Sequence, residues 1–317
     1  MPRPCVSPRP LRDSSRAGRL AALRVSSGVG RLASLRVSSG AGRMAALLTG
    51  LLLAACSSPP ARPPSPTQLL ASASSERGAR ALQRGDWAQA LAQYQATLQA
   101  AVALQDPALT GAALLGLSVV QARLGALDAA HAQVDQILAR PGYFDAGLQA
   151  RAATRKALLM LDGPQPGDAL RWADRAEALC AAPCALAPVL GNLRAHAALS
   201  RGDAAAAALL ANAAARAAEA AGQHGEHASA LRLQARALSL LGQADRAAAA
   251  LALALQIDRR LGQPDRIALD LLLAAEVEDQ RGRFEAATDL LQRAFAVYSA
   301  SGNTRQADAV RQRLAGR

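Results

Sequence analysis

Four cysteines and four histidines carry most of the reactive chemistry available to this 317-residue chain. A cysteine sulfur can be alkylated to a thioether, oxidised to a disulfide or bound to a metal, and its surroundings decide among these. Cys56 closes an apolar run, Ala45 to Ala55, in the order Leu53-Ala54-Ala55-Cys56, and hands over to Ser57-Ser58-Pro59-Pro60. Cys180 and Cys184 bracket Ala181-Ala182-Pro183, and His224 and His227 form an H-x-x-H around Gly225 and Glu226. With no third ligand nearby in sequence and a glycine weakening the helix, the His pair is not expected to hold a metal. No Gly-rich phosphate loop, G-x-S-x-G, H-E-x-x-H or zinc-ribbon spacing is present. The acids fall about one per helical turn on polar faces, as a solvated helix surface requires. No enzymatic activity, cofactor or small-molecule substrate is therefore expected.

The elements around these residues decide what they can do. The apolar run before Cys56 is 11 residues long, and a membrane-spanning helix needs about 20. Such a run ending in small residues reads as the core of a secretory signal. Leu53 to Cys56 resembles the lipobox of bacterial lipoproteins. The resemblance implies lipid on the Cys56 thiol, cleavage after Ala55 and acylation of the freed amino group. It further implies residence in the bacterial cell envelope, with Ser57 in place of Asp favouring the outer membrane, facing the periplasm. Two or more acyl chains anchor stably, at about 0.8 kcal/mol per buried methylene. Export would put Cys180 and Cys184 in an oxidising compartment. With Cys5 and Cys56 set aside, those two are expected to form a disulfide across a short loop, a redox site more normally reading C-x-x-C.

Residues 1–43 form an Arg-rich leader with a 12-residue repeat: Gly18-Arg19-Leu20, Gly30-Arg31-Leu32, Gly42-Arg43-Met44. Translation is expected to begin later, at Met44 or at an upstream Val such as Val37, so that 44–55 is the signal peptide. The leader holds nine Arg and one Asp, so eight of the net +12 charges precede residue 44 and only +4 follows. Lys156 is the one lysine, and the heavy Arg usage reads as coding bias rather than a phosphate-binding surface. Nucleic acid is not an expected partner despite a pI near 11.

Cys56 and a Pro/Ser-rich linker occupy 56–68, and a polyproline-like, extended course is expected for 57–66. Residues 69–317 are rich in Ala, Leu, Gln and Arg, the strongest helix formers. They contain a long-period repeat. Turn glycines at Gly85, Gly125, Gly202, Gly242 and Gly282 lie 40, 77, 40 and 40 residues apart, and a degenerate copy around Asp162–Leu170 fills the double interval. Each unit has a small residue seven before its glycine (Gly78, Ser118, Ala195, Ala235, Ala275) and an Ala five after it. Gly-Asp occurs at two turns, an aromatic two residues after two of them (Trp87, Phe284), and Tyr94 nine after the first.

This pattern resembles the tetratricopeptide repeat, in a longer form of about 40 residues with most aromatics replaced by Ala or Leu. The resemblance implies an all-α, right-handed α-solenoid of about six antiparallel helix pairs, with Thr304 to Leu314 as a C-terminal capping helix. It also implies that the first helix of each pair lines a concave groove that binds a protein partner. Spacing from the turn glycines puts Asn192, His196, Arg232 and Arg236 in that groove, with Leu269, Leu272 and Glu276. The expected function is a membrane-anchored periplasmic lipoprotein serving as a scaffold in envelope assembly, pilus or secretion machinery. The alternative is a cytoplasmic repeat adaptor without a lipid anchor.

Overall fold

A computed structural model describes residues 63–161 and 167–317. The leader, the signal peptide, Cys56, most of the linker and residues 162–166 of the degenerate repeat copy lie outside the described residues. Those that are described form thirteen helices and no strand. They run α1 Pro66–Arg84, α2 Trp87–Ala103, α3 Pro107–Arg123, α4 Leu127–Leu138, α5 Ala146–Leu161, α6 Gly167–Leu179 and α7 Ala187–Ser200. The series continues with α8 Ala204–Ala220, α9 His224–Leu240, α10 Ala244–Leu261, α11 Pro264–Gln280, α12 Phe284–Ala300 and α13 Thr304–Ala315. Paired in order they make six units and a terminal helix, the all-α solenoid expected.

The helix ends are written in the local chemistry. From Gly202 to Gly302 a glycine with positive φ recurs every 20 residues, closing a first helix and then a second in alternation. At Gly242 the amide donates to the Ser239 carbonyl and the next amide, Gln243, to Leu238, which satisfies carbonyls that have no partner within the helix. Gln105 occupies the corresponding place between Gly85 and Gly125 and takes φ 50° without being glycine. Asp86, Asp106 and Asp203 cap the following helices, each accepting from a backbone amide three residues on at 2.9 to 3.0 Å. At the start of the stack Ser65 and Gln68 bond reciprocally around Pro66. The first helix therefore begins three residues inside the stretch expected as linker: the last proline of that stretch starts the helix, because its ring suits the first turn.

The repeat positions are the packing positions. Ala90, Ala130, Ala207, Ala247 and Ala287, each five after a turn glycine, are fully buried, as are Ser118, Ala195, Ala235 and Ala275 seven before. Small residues facing each other let the two helices of a unit approach closely. Where an aromatic intervenes, glycines make room for it: the Tyr94 ring packs over Gly78 and Gly116, and a Cβ on Gly116 would overlap it. Each first helix also touches the first helix of the next unit, α1 to α3, α3 to α5, and so on to α11, whereas second helices do not touch one another. The first helices thus form the crowded inner wall and the second helices the splayed outer one. The terminal helix α13 covers α12 with buried Ala307 and Val310 and leaves its polar side outward.

Candidate functional site

Because an inner-wall helix packs against both its own partner and its neighbours, it has more than one buried face. In α9 the residues His227, Leu231, Ala235 and Leu238 are buried, but so are Ala230, Arg232 and Ala237. Arg232 is 5% exposed and ties three helices together. Its Nη1 pairs with Asp258 of α10 and, at 3.1 Å, with Asp270 of α11, while its Nη2 donates to Ser229 Oγ at 3.0 Å. Asp258 and Asp270 are fully buried, and each keeps one carboxylate oxygen without a hydrogen-bond partner. Two carboxyls around one guanidinium cannot both ionise at low cost in a buried site. Burial first, and Asp258 after it, raise the Asp270 carboxyl to about 7 against the opposing pull of Arg232.

Asn192 of α7 is also inside the stack, at 7% exposure, where its amide donates to the Glu226 carbonyl at 3.0 Å and to Glu226 Oε2 at 2.8 Å. Asn192 and Arg232 are both residues that the repeat spacing assigns to the groove. The structure places them between helices instead, because their polar atoms are consumed in joining one unit to the next. Arg236, one turn on from Arg232, is exposed, and His196 is half-buried. Leu269 and Leu272 do face open space, and Glu276 is exposed and paired with Arg313 at 3.0 Å. Cys180 and Cys184 are bonded to each other in the loop between α6 and α7, with Cα atoms 5.4 Å apart. His224 is exposed while His227 is buried. Among the described residues no three His, Cys, Asp or Glu side chains are grouped as a metal site.

A cavity of about 730 Å³ lies where the first and last units face each other. Its walls come from the ends of α1, α3 and α12, the starts of α2, α11 and α13, and the turn between α12 and α13. No helix of the first two units packs against a helix of the last two, so the two ends of the stack meet only across this space. Trp87, Leu269 and Leu272 give it apolar surface, and Arg84, Arg123, Arg266 and Arg305 give it charge. Arg84 hydrogen-bonds Gln89 at 2.9 Å. Burial and the neighbouring Arg232 and Arg123 cations hold the Arg266 guanidinium below its ordinary value, against a smaller opposing pull from Asp258 and Glu226. Sequence reasoning missed these arginines because they sit at helix ends from units more than 140 residues apart, a juxtaposition that local spacing does not report. Asp270 did carry a signal: an acid inside Ile267-Ala268-Leu269-Asp270-Leu271-Leu272-Leu273 is either buried and paired or misplaced.

No family model matches the chain, and no curated protein matches it in sequence. Solved structures match it in shape. A signal transduction ATPase with numerous domains from Pyrococcus horikoshii, which carries a tetratricopeptide repeat sensor, aligns over 87% of this chain with a TM-score of 0.58 and 14% identity. The match covers 43% of that protein, so the chain spans less than half its length. The type IV pilus biogenesis factor PilW aligns over 71% of the chain and 92% of its own, at TM-score 0.48 and 18% identity. A tetratricopeptide protein of Thermus thermophilus aligns over 78% and 97%, at TM-score 0.35 and 17% identity. The fold is a tetratricopeptide-type solenoid.

Proposed function

We propose that this chain is a protein-binding scaffold of the bacterial cell envelope, anchored by lipid at Cys56 and presenting its solenoid to the periplasm. The observation that carries the binding role is the cavity between the first and last units: six helices contribute to it, and it combines apolar wall with fixed charge, as a site for a polypeptide segment requires. The anchor rests on the sequence: an 11-residue apolar run, small residues before Cys56 and a Ser/Pro stretch after it. Held near the membrane by acyl chains, the solenoid would meet its partner at high local concentration, so a modest affinity suffices for stable association.

Two measurements test this. Radiolabelled palmitate should enter the protein in the native host and fail to enter the Cys56→Ala variant, and the wild type should fractionate with the outer membrane. Crosslinking followed by mass spectrometry should recover a specific envelope protein from the wild type. An unlabelled protein recovered from the cytosol would overturn the envelope assignment in favour of a cytoplasmic adaptor.

A further inference from the structure

The lining of the cavity is unbalanced in charge: four arginines face one carboxylate, Asp265, whose Oδ1 accepts from Asn303 at 3.2 Å. Among the described residues no carboxylate pairs with Arg123, Arg266 or Arg305. Elsewhere in the stack arginines pair freely, Arg194 with Asp174 and Glu177 and Arg281 with Asp245 and Glu278. Arg266 is set apart by its place: half-buried, lining the cavity, and beside Arg232 and Arg123, whose repulsion outweighs the pull of Asp258 and Glu226. A cation held in that setting gains most from an anion that enters from solvent, since screening is weak where water is excluded.

We propose that the cavity takes an acidic polypeptide segment of the partner, its carboxylates held by Arg123 and Arg266 and its apolar side chains by Trp87, Leu269 and Leu272. This rests on the scaffold reading above and names the chemistry of the partner. Guanidinium offers a planar fork that fits a carboxylate, and the apolar wall beside it gives an amphipathic segment more contact than a bare ion. The chain's own N-terminal segment does not fit. Residues 1–62 carry ten Arg and one Asp, and a second copy is also basic, with +3 of the net +12 charge on residues 63–317. An occupant would bridge units that otherwise meet only across open space, so binding should draw the two ends of the stack together.

The test uses the full chain carrying Cys56→Ala, to keep it soluble, and Trp172→Phe, to leave Trp87 as the reporter. Trp87 fluorescence is titrated with a twelve-residue peptide alternating Glu and Leu, with the same peptide carrying Lys for Glu, with ATP and with a single-stranded oligonucleotide. The acidic peptide should bind and the Lys peptide should not. Arg123→Glu with Arg266→Glu should weaken the acidic peptide at least tenfold, and raising NaCl from about 50 to 200 mM should weaken it in the parent. Should the double variant lose its helical circular dichroism, Arg123→Gln alone, at an exposed position, should still weaken binding about threefold. An unchanged Kd in these variants, or equal binding of the Lys peptide, overturns the proposal. Equal response to ATP or the oligonucleotide overturns the peptide assignment in favour of a general anion site. If crosslinking still recovers an envelope partner while the acidic peptide gives no response, the acidic chemistry is wrong and the scaffold reading stands. If both are blank, the scaffold reading falls.

Discussion

Raising the pH from 5 to 9 should weaken the fold through one buried carboxyl, Asp270. Its ordinary value of 3.8 is pushed up to about 7, chiefly by burial, so between pH 5 and about 7 the folded chain holds a proton that the unfolded chain has released. A carboxyl raised in this way contributes its full stability only below its unfolded value, and that contribution is lost as pH climbs through the folded one. At 1.36 kcal/mol per pH unit, the loss between pH 5 and 9 is about 3 kcal/mol, most of it below pH 7. His131, held below its ordinary value chiefly by burial and by Lys156, acts in the opposite sense, so the comparison must be with a variant and not with an absolute curve. Asp270→Asn keeps the shape and removes the titration. Urea midpoints followed by circular dichroism should fall with pH in the parent and fall about 3 kcal/mol less in Asp270→Asn. Parallel curves for the two proteins would refute the buried triad of Arg232, Asp258 and Asp270 as described.

Four further outcomes follow from the packing. Arg232→Met should cost about 3 to 5 kcal/mol, because it leaves two buried acids without their cation, and less in the Asp270→Asn background. Thermal melts of the two singles and the double measure that coupling. Gly116→Ala should cost about 1 to 3 kcal/mol by driving a methyl into the Tyr94 ring, and Tyr94→Leu should recover part of it in the double variant's urea midpoint. Gln105→Gly should raise stability by about 0.5 to 1 kcal/mol, because a left-handed residue without side-chain contacts to lose prefers glycine. Gly242→Ala, where an added Cβ meets nothing within 4 Å, should cost about 1 kcal/mol in the same assay from backbone strain alone.

The helix pairs were legible in the sequence because what makes them is local. A turn glycine adopts positive φ through its own lack of a side chain, and an Ala five residues on is buried because helical geometry turns it toward its partner. Hence Gly85, Gly125, Gly202, Gly242 and Gly282 mark the units, and Ala90 through Ala287 mark their cores. The start of α1 was misplaced for a related reason: Pro66 reads as linker by composition but begins a helix once Ser65 caps it.

The polar residues were harder to place. Arg232 and Asn192 lie beside the apolar stripe, where a lone amphipathic helix would show them to water. Only a third helix packed on that side turns solvent face into buried junction, so the tertiary structure decides whether each grips a ligand or a neighbour. The same holds for Arg123 and Arg266, which become one cavity because the accumulated rotation of six stacked units brings the last opposite the first. Short-range spacing determines each unit, whereas the small angle between successive units, summed along the stack, determines which distant side chains share a space.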